Sequence, residues 1–336
     1  MEVSADKVVL TGHEACVRHL RAQVLSGKVS HAYLVEGAEG AGKKTLCRQF
    51  ARALVCQAPR NGEACGRCDS CRVFLSENHP DVHYIRPDEK GNLPVQMIRE
   101  ELVHDIDILP YYEGRKVYVI EQAQNLSVQA QNVILKTIEE PPAYAVILLL
   151  AESVQSFLPT VRSRCVMVRL LPLPEDKVAG ILQKQYGVDR TLAEKSAAFC
   201  GGSVGQALKA AGSQEYKELR ARWMERLGSL AGGDPYRILG WDTALEEDKA
   251  HIQEILRMCM VWFRDLILVR ETGSTSACIC RDRQEALRQA ADAYDIPELY
   301  RKVRVLEEAR RKLEHNVNYA LWSDWLLMKL SVRRSI

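Results

Sequence analysis

Residues 37–45 read Gly-Ala-Glu-Gly-Ala-Gly-Lys-Lys-Thr and lie between two patterned stretches. Before them runs HAYLVEG (His31 to Gly37), strand-like and apolar; after them Leu46, Phe50, Ala53 and Leu54 fall on one helical face. A strand that turns through glycines into a helix makes a cradle for phosphate. Its glycines let backbone amides close on the oxygens, and the helix N-terminus favours negative charge. Such a loop needs a parallel sheet behind it, and the chain supplies one. Strand-like runs recur at Val82–Pro87, Lys116–Gln122, Ala145–Ala151 and Val166–Leu170. Between them lie helical stretches, one starting at Pro94 with Ile98, Leu102 and Ile106 in line, another from Ser127 stopped by Pro141 and Pro142. Near-continuous Val, Ile and Leu in the runs suits strands buried on both faces, so the fold class is α/β with a parallel sheet.

The candidate nucleotide-binding residues are Gly37, Gly40, Gly42, Lys43, Lys44 and Thr45. Lys43 occupies the position of a phosphate-contacting lysine. The next position calls for Ser or Thr, whose hydroxyl holds Mg²⁺, and here it is Lys44. Thr45 comes one residue late, about 100° further round the helix. The third strand ends Ile120-Glu121-Gln122. Glu121 can stand in for a metal-associated Asp with a longer reach, but the amide of Gln122 cannot take a proton from an attacking water. ATP with Mg²⁺ is therefore expected not to be hydrolysed by this chain. Nucleotide binding without turnover stays open, because Lys43 is intact.

After Leu170 the strand pattern stops. Three short helical segments follow, at about 176–186, 190–200 and 203–211, and from Gln214 onward the pattern is almost wholly helical, with breaks near Gly232–Pro235 and Thr272–Ser276. The expected division is an α/β domain over 1–172, a three-helix lid over 173–213 and a helical domain over 214–336. Leu299, Val303, Leu306 and Leu313 form an apolar stripe in the last domain that serves as core or as a subunit contact; Trp322 and Trp325 read as core.

Cysteine is the other informative residue. Four of the 11 cysteines, Cys56, Cys65, Cys68 and Cys71, have the spacing C-x8-C-x2-C-x2-C. Two overlapping C-x2-C turns bring thiolates to one tetrahedral ion, Gly62 and Gly66 supply the sharp turns, and four thiolates leave no open position, so a structural Zn²⁺ is expected. His79 and His83 are close in sequence but read as solvated or hydrogen-bonded. The other seven cysteines read as ordinary small side chains. No basic, apolar leader opens the sequence, and the longest apolar run is the seven residues Ala145–Ala151, far short of the roughly 18 that span a bilayer. The cytoplasm is the expected compartment, with no membrane partner. A net charge of +2 is not the footprint of a dedicated DNA-binding domain.

HAYLVEG, GAEGAGKK, the four-cysteine insertion, NVILKTIEEPP and LPTVRSRC follow one another in an order that resembles the clamp-loader subunits of bacterial DNA polymerase III, members of the AAA+ clamp-loader family. HNVNYALWSDWLLMKL near the end is similar to that family's last helices. The resemblance implies an AAA+ α/β domain, a lid, and an all-α collar that builds a ring of five subunits. The gamma/tau motor subunits have an intact GKT-type loop, an Asp-Glu pair and an arginine in the third lid helix. Here the lid segment is Gly202-Ser203-Val204-Gly205-Gln206-Ala207-Leu208, with glycine where that arginine falls. Ser163-Arg164-Cys165 matches the SRC motif, so the resemblance implies that Arg164 is the catalytic residue, acting in trans on ATP held by a neighbour. No role is assigned to Arg162 or Arg169. The implied partners are gamma/tau and delta subunits, with the sliding clamp and primer–template DNA met inside the complex. The rival readings are an active gamma/tau-type ATPase and a stand-alone zinc-containing DNA-binding protein.

Overall fold

A computed structural model describes residues 10–89, 91–112, 114–232, 236–313 and 317–332. The first nine residues, the 233–235 part of one expected break and the His315–Asn316 part of the C-terminal motif lie outside them. The chain divides into two compact units between Leu208 and Lys209.

The first unit opens with α1 (Glu14–Ser26), then β1 (Ala32–Glu36), α2 (Lys43–Leu54) and a short α3 (Asp69–Leu75). There follow β2 (Val82–Ile85), α4 (Val95–Ile98), β3 (Lys116–Ile120), α5 (Val128–Glu139), β4 (Ala145–Ala151), α6 (Pro159–Arg162) and β5 (Val166–Arg169). The five strands stand where the apolar runs predicted them and pair in parallel in the order β2-β3-β4-β1-β5. Alternate residues feed two cores. Leu34, Tyr118, Ile120, Ile147 and Leu149 face Ile98, Leu102, Ile134 and Ile138. Tyr33, Val35, Val119, Leu148 and Leu150 face Leu20, Leu46, Phe50 and Leu54. At roughly 1.5–3 kcal/mol per large apolar side chain, burial on both faces makes this sheet the most strongly stabilised part of the unit.

The helix expected from Pro94 differs in form. After α4 the backbone widens, with the N–H of His104 donating to the carbonyl of Arg99, five residues back. Ile98, Leu102 and Ile106 still line up and are buried, because residues four apart sit closer to one line in a widened turn than in a 3.6-residue one. The three lid helices occur as expected: α7 (Glu175–Tyr186), α8 (Arg190–Phe199) and α9 (Val204–Gly212). Asp189 caps α8, accepting from the N–H groups of Thr191 and Leu192.

The second unit is all helix: α10 (Gln214–Gly228), α11 (Tyr236–Leu239), α12 (Asp242–Glu247), α13 (Ile252–Thr272), α14 (Gln284–Asp292), α15 (Ile296–Leu313) and α16 (Tyr319–Ser331). Its centre is α13, whose Trp262, Phe263 and Leu266 are fully buried. Leu299, Leu306 and Trp322 are core, as the stripe allowed, whereas Val303, Leu313 and Trp325 are only half-buried. Lys302 is an unforeseen core residue: its ammonium meets the carbonyl of Leu330, sits 3.4 Å from Glu298 and lies 5.1 Å from the Tyr294 ring centroid. Among the described residues no helix is long and apolar enough to cross a membrane.

Candidate functional site

The register of the sheet sets the site. Glu36 lies opposite Ala151 and Ile120 opposite Leu149, so β1, β3 and β4 finish almost level. Gly37, Glu121 and Glu152 therefore leave the sheet side by side at its carboxyl edge, where open parallel sheets place their ligands. Gly40 (φ 72°) and Gly42 (φ 99°) hold the left-handed conformations that let the loop turn into α2.

The loop is closed on itself. Lys43 Nζ donates to the carbonyls of Gly37 (2.5 Å) and Ala38 (2.9 Å) instead of standing free for a phosphate. Burial pulls the Lys43 pKa down, opposed by the nearby carboxylates of Glu152 and Glu39. The lid helix covers the apex of the loop. The N–H of Gly205 donates to Gly40 O (2.9 Å), Ser203 Oγ to Glu39 O (2.7 Å) and Gln206 Nε2 to Glu39 Oε2 (2.8 Å). A Cβ on Gly205 would come 2.7 Å from the Gly40 Cα, and one on Gly40 would come 2.6 Å from Ser203 Oγ. The glycine in the third lid helix is thus required by contact with the loop; an arginine cannot occupy position 205 in this arrangement.

The metal side is equally blocked. Lys44 Nζ lies 2.5 Å from Glu121 Oε2, and Arg86 Nε lies 3.4 Å from Glu121 Oε1, while the Glu121 side chain is only 8% exposed. Two cations from the chain thus flank the carboxylate that would face a metal ion. Gln122 holds φ 49°, and its amide oxygen accepts from Asn125. A cleft of about 450 Å³ remains, walled by Glu39, Lys43, Lys44, Gln122, Glu152 and Gly205. Thr45 also borders a second cavity of about 90 Å³ beside Leu10, Thr11, Gln185 and Tyr186, where Gln185 donates to Thr11. That space is well under the roughly 300 Å³ at which ligand pockets begin.

Arg164 lies at the opposite end of the motif order, in the turn between α6 and β5. Pro159 starts α6 at its first position, where a missing N–H costs nothing, and Ser163 Oγ donates to Thr160 O at its end. Cys165 packs against the core, and burial pushes its thiol up to about 12, so it anchors the turn without reacting. Arg164 is left half-exposed between these two fixed residues. Its Nη1 donates to Thr160 O (3.1 Å), and its Nη2 lies 2.9 Å from Glu139 Oε1 at the end of α5. Gln131 was not legible in the sequence. Buried in α5, it donates to Leu126 O and Ser156 O and accepts from the N–H of Leu158, so one amide ties α5 to the chain leading into α6. Arg162 and Arg169 acquire no role from the geometry; Arg169 pairs with Glu36 at 2.9 Å.

The four cysteines converge. The sulfurs of Cys56, Cys65, Cys68 and Cys71 all lie within 4.8 Å of one another, and Cys56 and Cys68 are 3.9 Å apart. A tetrahedron of thiolates about 2.3 Å from one ion puts sulfurs about 3.8 Å apart. Backbone N–H groups point at the sulfurs: Cys65 to Cys56, Cys68 to Cys65, and Cys71 to Cys68. The Arg67 and then the Cys68 amide draw the Cys65 pKa down to about 6, whereas burial holds Cys71 up at about 12. The donor set fits a thiophilic tetrahedral metal. Gly62 (φ 76°) must be glycine here, since a Cβ would come 2.4 Å from the Arg21 carbonyl on α1. His79 is no ligand. Its Nδ1 accepts from the N–H of Asp81, so Nε2 carries the proton toward Ser70 Oγ, which in turn donates to Val55 O. His83 stacks on Tyr118 beside Asp105. The remaining seven cysteines lie outside this cluster, and five of them are buried.

A family model described as DNA polymerase III, delta subunit, matches residues 12–174. A second, DNA polymerase III, delta subunit, C terminal, matches residues 214–330. The delta-prime subunit of DNA polymerase III from Bacillus subtilis is 26% identical over 306 residues, 90% of this chain and 91% of that protein. The chain belongs to the delta-prime family of DNA polymerase III subunits. The Pseudomonas aeruginosa delta-prime subunit is 38% identical over 146 residues, 43% of this chain, so the chain spans under half (44%) of that relative. The tau/gamma subunit of Haemophilus influenzae is 32% identical over 170 residues, 51% of this chain and 24% of that protein. The stretch between the two matched ranges holds α7, α8 and α9, the last of which covers the loop.

Proposed function

We propose that this chain is a non-hydrolysing subunit of the clamp loader, a fixed member of the ring that presents Arg164 to ATP bound by an adjacent gamma/tau subunit. That it is a clamp-loader subunit in DNA replication follows from its family. The finer role rests above all on the Lys44–Glu121 pair, which puts a lysine ammonium against the carboxylate a catalytic Mg²⁺ would use. Binding Mg²⁺ there would mean displacing Lys44 and bringing a divalent cation beside Arg86, and no hydroxyl replaces the lysine as a ligand. Gln122 adds no base. The same features argue against an active gamma/tau-type ATPase.

In this reading the delta and gamma/tau subunits are the direct partners, with the sliding clamp and primer–template DNA engaged through the assembled loader in the cytoplasm. Arg164 supplies a guanidinium from outside the neighbour's site, where it offsets charge on the transferring phosphoryl group. The ion at Cys56, Cys65, Cys68 and Cys71 is Zn²⁺ with a structural role, since four thiolates complete a tetrahedron. The division into α/β domain, lid and collar at 172 and 213 is retained as part of this proposal.

One titration tests the metal argument. Binding of a non-hydrolysable ATP analogue to the purified chain is measured with and without Mg²⁺, expecting an affinity that Mg²⁺ leaves unchanged to within about twofold. Mg²⁺-dependent tightening by tenfold or more would sink the idea that Lys44 has taken the metal's place.

A further inference from the structure

We propose that Glu139 is the positioning residue for Arg164. The inference rests on Arg164 acting in trans, and its evidence is separate. Glu139 is the last residue of α5, where the helix dipole disfavours a carboxylate. Helix stability alone therefore gives no reason for an acidic group there. Its partner does: Glu139 Oε1 lies 2.9 Å from Arg164 Nη2, with both side chains 42% exposed. Arg164 Nη1 is held at the same time by Thr160 O at 3.1 Å and lies 3.5 Å from Ser163 Oγ.

These three contacts engage at most three of the five guanidinium N–H groups, so two remain for an acceptor outside the unit. That is the arrangement a trans-acting arginine needs. A free arginine loses rotamer freedom when it is fixed. One already fixed in the free chain loses less on meeting a phosphate, and the benefit falls on the transition state if the geometry is preserved. Glu139 and Arg164 come from the two motifs LKTIEEPP and LPTVRSRC, and this pair joins them in space.

The test uses full-length chain reconstituted with gamma/tau and delta subunits, with steady-state DNA-stimulated ATPase resolved into kcat and KM. Glu139→Ala is expected to lower kcat at the site facing this chain about fivefold, the scale set by an exposed pair, so that total kcat falls by most of that site's share with KM unchanged. Glu139→Gln is expected to stay within about twofold of wild type, because its amide oxygen still accepts the Nη2 hydrogen. On an Arg164→Ala background Glu139→Ala is expected to change nothing further. Unchanged kcat in Glu139→Ala, or an equal loss on the Arg164→Ala background, would overturn the positioning role. An inert Arg164→Ala would instead remove the trans-acting arginine on which it rests.

Discussion

Arg164→Ala in a reconstituted loader is expected to slow hydrolysis at the adjacent site by about 10³-fold, with the loader still assembled. The scale is that of arginines supplied in trans to phosphoryl transfer, which contribute roughly 10³–10⁵ in kcat. Only the site facing this chain loses its guanidinium, so total ATPase falls by that site's share. Clamp loading, if it needs every site to fire, falls by tenfold or more. Assembly should survive because the residue is half-exposed and its pair with Glu139 contributes only about 1 kcal/mol or less. Gel filtration of the complex separates the two effects. A complex that forms and hydrolyses ATP at the wild-type rate would show that Arg164 has no part in the chemistry.

The second large effect is on stability. Cys68→Ser is expected to abolish metal binding and to lower the melting temperature of the first unit by about 8–16 °C, corresponding to roughly 4 kcal/mol in a unit that ends at Leu208. The physical reason is local. Cys68 caps α3, its sulfur accepting from the Cys71 N–H, and Cys71 sits on the first turn of the same helix. Releasing the ion frees the start of α3 and the loop back to Cys56 together, and binding energy for such ions is folding energy. Elemental analysis of the wild-type chain should give about one zinc per chain, and a chelator should reproduce the loss of melting temperature. Metal-free protein with an unchanged melting temperature would show that the four cysteines are no staple.

Much of this was visible in the sequence, for physical reasons. Runs such as Ala145–Ala151 can only be buried on both faces, so all five strands stood where their residues put them. The C-x2-C turns place their own sulfurs, so the cysteine cluster was equally plain. Less legible was whatever depends on approach between distant segments. Lys44 and Glu121 read as two separate departures, whereas in the structure they neutralise each other. The glycine at position 205 read as a missing arginine; its cause is a backbone contact with Gly40. The start of α3 had no apolar signature because a sulfur caps it. Gln131 and Lys302 gave no signal at all, since the backbone groups they bond to are brought to them by tertiary structure. Hydrophobic periodicity records burial, and it is silent about which polar group a buried amide or ammonium will meet.

The proposal that this chain does not hydrolyse ATP is tested most directly by the steady-state ATPase of the purified chain alone, with Mg²⁺ and DNA present, measured beside Lys43→Ala. Lys43 already bonds to its own loop and Lys44 already covers Glu121, so both proteins are expected to show the same background rate. Turnover on the order of 1 s⁻¹ that disappears in Lys43→Ala would contradict the account, because the loop would then be hydrolysing ATP in cis.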